Sequence, residues 1–118
     1  MHREELLMSV RVGYMSFTRV ESANDQSSYE ATEAAKKLRA SGFRAQRARV
    51  ERIDGLVLLA GPMESWTPGV HFKFATCGHR GSGPIATAEI LALFGFGDKA
   101  SLMQHIRRDR ELTFDIYR

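Results

Sequence analysis

The chain has 118 residues and a mass of 13.3 kDa, the size of one domain. Its apolar share of 43% and charged share of 26% exclude a disordered or collagen-like chain, and no apolar run approaches the roughly 18 residues that cross a bilayer. The net charge of +3 is too small to attract nucleic acid by itself. No secretory leader is visible from Met1 to Glu5, and the single cysteine, Cys77, has no partner for a disulfide, so a reducing cytoplasm is expected.

Leu6 to Val20 predicts one long strand or two short ones. Met8, Val10, Val12 and Tyr14 alternate with polar or small residues, and Met15 and Phe17 then take the opposite parity, which predicts a bulge or bend beside Gly13. After a loop at Asn24 to Ser27, Ser27 and Glu30 have the spacing of a capping box. Ala31, Ala34, Ala35 and Leu38 then recur at helical spacing, and Gly42 is placed to end the helix in a left-handed conformation. Phe43 to Ile53 and Leu56 to Ala60 flank Asp54-Gly55, a tight-hairpin signal. The first arm carries Arg44, Arg47, Arg49 and Arg52 and reads as an exposed edge strand, whose charges discourage aggregation. The second is continuously apolar and is expected at the centre of the sheet.

Gly61 to Gly69, with Pro62, Trp66 and Pro68, predicts a loop. Val70, Phe72 and Phe74 mark a half-buried strand, with His71 and Lys73 on its other face. A glycine-rich loop from Gly78 to Pro84 leads into an apolar helix, Ile85 to Phe94, which Gly95-Phe96-Gly97 ends. Asp98 is a cap for a third helix bearing Leu102, Met103 and Ile106, and Leu112, Phe114 and Ile116 alternate as a last strand. The order is β-α-β-β-β-α-α-β: one α+β domain over residues 1–118, a mainly antiparallel sheet with helices on one face.

The loop Gly78-His79-Arg80-Gly81-Ser82-Gly83-Pro84 carries the most chemistry. Backbone N–H groups and the positive end of the helix dipole favour an anion there. The glycines allow close approach, Ser82 adds a hydroxyl, and Arg80 adds a fork of donors. The loop lacks the Gly-Lys-Ser/Thr ending of a Walker A motif and misses the glycine spacing of a dinucleotide loop. The plainer reading is a glycine turn that lets an apolar helix dock closely.

From Gly78 to Leu93 the chain resembles small uncharacterised bacterial and phage domains in which a Gly-Gly-Ser-Gly-Pro loop opens a helix, with Arg80 at the first of the paired glycines. The resemblance implies no settled activity. It is compatible with phage proteins that sequester nucleotide signals.

These features lead to the expectation of a non-catalytic binding protein for a phosphate-bearing small molecule, a nucleotide or cyclic nucleotide. Gly81, Ser82 and Gly83 would hold the anion, His79 and Arg80 would lie beside it, and Arg47 or Arg49 would complete the site from the same or a neighbouring subunit of a homo-oligomer. No cofactor is expected, and no metal, because His2, His71, His79 and His105 show no ligand spacing. The alternative is a nucleic-acid-binding or protein-interaction module using the basic run Lys36 to Arg52, with Phe43 to stack on bases, or the C-terminal helix pair. Two further residues carry a chemical and a plain reading each. Cys77 is a thiol nucleophile activated by His79, Arg80 and the helix start, or a small residue ending a strand. Glu89 is a buried acid, or part of a solvated stripe.

Overall fold

Residues 19–61 and 68–116 are described by the computed structural model, and the expected element order is present in them. The strand expected over Leu6 to Val20 falls outside these residues except for its last two, as does the Trp66 loop. Strand β1 (Arg19–Ser22) leads to α1 (Ser28–Ala40), followed by β2 (Arg47–Glu51), β3 (Gly55–Leu59), β4 (Pro68–Phe72), α2 (Ser82–Leu93), α3 (Lys99–Ile106) and β5 (Glu111–Asp115). The sheet order is β1-β4-β3-β2-β5; β1 and β4 are parallel and every other pair is antiparallel.

Helix α1 begins as its sequence predicts. Ser27 Oγ accepts the Glu30 amide at 3.0 Å, while Glu30 Oε1 accepts the amide of Gln26, one residue before the cap. Its other end closes on Gly42 at φ +99°. The Gly42 and Phe43 amides donate to the Arg39 and Leu38 carbonyls, the paired bonds of a Schellman motif. Helix α2 ends in the same way at Gly95, with Gly95 donating to Ala92 and Phe96 to Leu91.

Alternation along the strands sorts the sheet into two unlike faces. Leu58 lies between Val70 and Ala48, and Leu56 between Phe72 and Val50. These residues form one core cluster with Ala31 and Ala35 of α1, Ala86, Ala88, Ile90 and Leu91 of α2, and Leu102 and Ile106 of α3. All three helices therefore cover this face. Each fully buried Leu, Ile or Phe side chain contributes about 1.5–3 kcal/mol. Helix α2 packs against α1 on one side and α3 on the other, so it is apolar nearly all round.

On the opposite face Val57 lies between His71 and Arg49, and Leu59 between Gly69 and Arg47. Val20, Val57 and Leu59 form a second, smaller buried cluster. Strand β3 is central as expected. Strand β2 is not an edge: β5 pairs with its outer side. The arginines of β2 thus carry out a different task from edge protection. Arg47 Nε lies 2.5 Å from Asp115 Oδ1, and Arg49 Nη2 lies 2.7 Å from Glu111 Oε2 and 3.1 Å from Glu51 Oε2. They hold β5 to β2 through side chains as well as through the ladder.

Two turns depart from expectation. The hairpin does not turn on Asp54-Gly55; Glu51 pairs with Gly55, so the turn is Arg52-Ile53-Asp54. Gly55, at φ +87°, opens β3, and a Cβ there would come within 2.4 Å of the Phe72 carbonyl oxygen. Strand β4 starts at Pro68, inside the expected loop, and stops at Phe72, before Phe74. It stops because Asp25, 4% exposed, accepts the Lys73 and Phe74 amides at 3.1 and 2.8 Å. Lys73 therefore lies beyond the strand face that holds His71.

Candidate functional site

Strand directions place several loops at one end of the sheet. The C-terminal ends of β1 and β4 lead into α1 and α2, and β2 runs in the same direction as β4. The amino ends of α1 and α2, the β2–β3 turn and the start of β5 therefore share that end. Asp25 joins the β1 side to Phe74. Gly78 donates to the Ile106 carbonyl at 2.7 Å, and a Cβ on it would lie 3.3 Å from Arg110 Cα and 3.4 Å from Arg52 Cδ.

Within the glycine loop the side chains brace the backbone. His79 Nδ1 lies 2.8 Å from the Arg80 carbonyl, which only accepts, so this nitrogen carries the proton. In the neutral ring Nε2 then accepts from the Thr76 hydroxyl, also at 2.8 Å. Thr87, fully buried, donates to the Thr76 carbonyl at 2.7 Å and lies 3.2 Å from the Gly83 carbonyl. Thr76 and Thr87 carried no sequence signal as site residues, yet they fix the approach to α2. Gly83 is a glycine because of Thr76: a Cβ would sit 2.1 Å from Thr76 Oγ1. Close docking accounts for this glycine without any ligand.

Gly81 differs. It precedes α2 at φ 127° and ψ −170° and supplies no side-chain cap, in a backbone region that side chains rarely enter. Pro84 is buried in the first turn and has no N–H. The remaining orphan amides of that turn are those of Gly81, Ser82 and Gly83, and none has an acceptor among the described residues. Arg80, Gly81 and Ser82 are exposed and Gly83 is half-buried. From Ser82 a cleft of about 230 Å³ runs between α1 and α2, past Ser28, Tyr29, Thr32 and Ile85. The acids along it are neutralised: Glu33 pairs with Lys36 at 3.1 Å and Glu89 with Lys99 at 2.9 Å. Glu89 thus lies on a partly solvated stripe.

The structure does not bring Arg47 and Arg49 to this loop. They project from the sheet face opposite the helices and are engaged by β5 and Glu51. The arginines beside the loop are Arg52 and Arg110, which no signal within the loop itself announces. Cys77 is buried, and desolvation, with Asp109, Glu51 and Glu111 nearby, pushes its thiol up to about 12. It stays protonated at neutral pH, so the activated-thiol reading loses its basis. Among the described residues no group of three or more His, Cys, Asp or Glu side chains is placed to hold a metal ion, and no helix is long and apolar enough to cross a membrane.

No family model, curated protein or solved structure matches this chain.

Proposed function

We propose that the protein binds a phosphate-bearing small molecule, a nucleotide or cyclic nucleotide, with its anion on the Gly81, Ser82 and Gly83 amides. The observation that carries this reading is the open amino end of α2, an exposed turn that its own sequence leaves uncapped. Oriented amides and the helix dipole favour negative charge there, and the Arg80 fork supplies further donors. His79 acts by holding the loop rather than by touching the anion. The cleft beside Ser82 takes the rest of a small ligand, with Tyr29 and Ile85 as its apolar wall. Within one chain Arg47 and Arg49, already ion-paired, lie outside this site.

A thermal-shift series with nucleotides, cyclic nucleotides and inorganic phosphate tests the reading. A ligand at a hundred times its dissociation constant stabilises the folded state by about 2.7 kcal/mol. Arg80→Ala is expected to reduce the shift, and Ser82→Asp, which places a carboxylate at the amides, to abolish it. Gly83→Val is not a usable variant, because it collides with Thr76 whatever binds. Unchanged shifts in Arg80→Ala and Ser82→Asp would refute the site.

A further inference from the structure

The cleft of about 230 Å³ between α1 and α2 has two unlike ends. Ser82, Ile85 and Glu89 follow one another at helical spacing on α2, and Tyr29, Glu33 and Lys36 do so on α1. All six line this one cleft. Two helical turns, roughly 10 Å, separate Ser82 beside the open amides from Glu89 at the far end. Between them stand the exposed Tyr29 ring and Ile85.

The far end holds acceptors that the protein does not use. Lys36 Nζ donates to Glu33 Oε2 at 3.1 Å, and Lys99 Nζ donates to Glu89 Oε2 at 2.9 Å. Each ion pair thus takes one carboxylate oxygen, and neither Glu33 Oε1 nor Glu89 Oε1 has a partner among the described residues. The lysines cancel the charge of the acids, so an anion two turns away is not repelled. The two glutamate side chains are 40% and 39% exposed, against 60% for Lys36. A ligand that fills the cleft therefore takes water from the glutamate oxygens first, while the Lys36 ammonium keeps more of its own. A carboxylate oxygen that loses water without gaining a donor is costly. The far end selects for N–H groups.

We propose that the ligand is an aminopurine nucleotide, of guanine or adenine, whose exocyclic amino group donates to Glu33 and Glu89 while Tyr29 and Ile85 cover the ring faces. The inference rests on the anion site proposed at the α2 amides and adds what the other end of the ligand must carry. An aromatic ring beside an aliphatic side chain suits a planar base. Uracil and thymine have carbonyl oxygens in place of an amino group and would set acceptor against acceptor. A purine also reaches further from its sugar than a pyrimidine does, which suits an anion and a base edge two turns apart.

Calorimetric titration of the full chain tests this with nucleotide pairs that differ by the amino group alone. Guanosine monophosphate should bind about tenfold more tightly than inosine monophosphate, or adenosine monophosphate than purine riboside monophosphate. Glu33→Ala with Glu89→Ala, at half-exposed helix positions that suit alanine, should bring that ratio to about one. A preference in either pair that the double variant levels supports the inference and names the base. Equal affinities within both pairs, or a preference that survives the double variant, would overturn it. Inorganic phosphate separates this failure from that of the anion site. If the parent protein binds phosphate but neither pair is discriminated, only the base reading falls; if it binds neither phosphate nor any nucleotide, both fall.

Discussion

Ser27 and Asp98 each lean over the helix they precede, and Gly81 does not. Ser27 Oγ accepts the Glu30 amide at 3.0 Å, and Asp98 Oδ1 accepts the Ser101 amide at 3.0 Å. The amino ends of α1 and α3 are thus closed by their own chain. The Asp98 carboxyl shows the cost of opening such a contact: the Ser101 amide and hydroxyl hold it below the ordinary carboxylate range. At α2 the capping position has a backbone that excludes the usual capping residues, while Pro84 removes one donor and Thr76 occupies the space beside Gly83. The contrast teaches that an open helix end can be a by-product of close packing. Solvent reaches it at Gly81 and Ser82, which is what the proposed site requires.

Four variants break or sharpen the contrast. Gly83→Ala should have the largest effect, about 2 kcal/mol of lost stability by urea unfolding, because overpacking against Thr76 costs about 1–3 kcal/mol. A loss near zero would mean that the α2 approach is loose. Cys77 checks the packing beneath the loop. Its thiol is raised from an ordinary 9.0 to about 12 in the folded protein, so the folded state binds the proton more tightly. Stability is unaffected below pH 9 and falls as pH rises from about 9 to about 12, by at most about 1.4 kcal/mol per pH unit. Cys77→Ala should remove this part of the alkaline decline; an identical decline would show the thiol to be accessible to water.

Ser27→Ala should cost about 1 kcal/mol by opening the amino end of α1. Ser82→Asp should do the reverse at α2 and raise stability by about 0.3–1 kcal/mol at neutral pH, through charge at the dipole. If Ser82→Asp instead destabilises the protein, the α2 amides are already satisfied.

Much of the fold was legible in the sequence because local signals and tertiary packing agree. Ser27 with Glu30, Gly42 and Asp98 mark helix ends through bonds confined to a few residues. The apolar run of β3 reflects burial on both faces, visible in Leu58 and Leu59 alike. Signals failed where a distant partner decides. Arginines on β2 look the same whether they line an edge or meet Asp115 and Glu111 on a strand far along the chain. Nothing near Asp25 announces that it will end β4 by accepting the Lys73 and Phe74 amides. Within the site, the open α2 end followed from Gly81-Ser82-Gly83-Pro84. The role of His79 did not, since it depends on where Thr76 directs its hydroxyl.

The central claim concerns three backbone amides, and a titration followed by nitrogen-15 and proton NMR reads them one by one. Adding inorganic phosphate and then a mononucleotide should shift the Gly81, Ser82 and Gly83 amide signals together along one saturating curve. The capped Glu30 amide of α1 and Ser101 amide of α3 should stay unmoved. Phosphate that shifts other amides while the three at α2 stay in place would contradict the account.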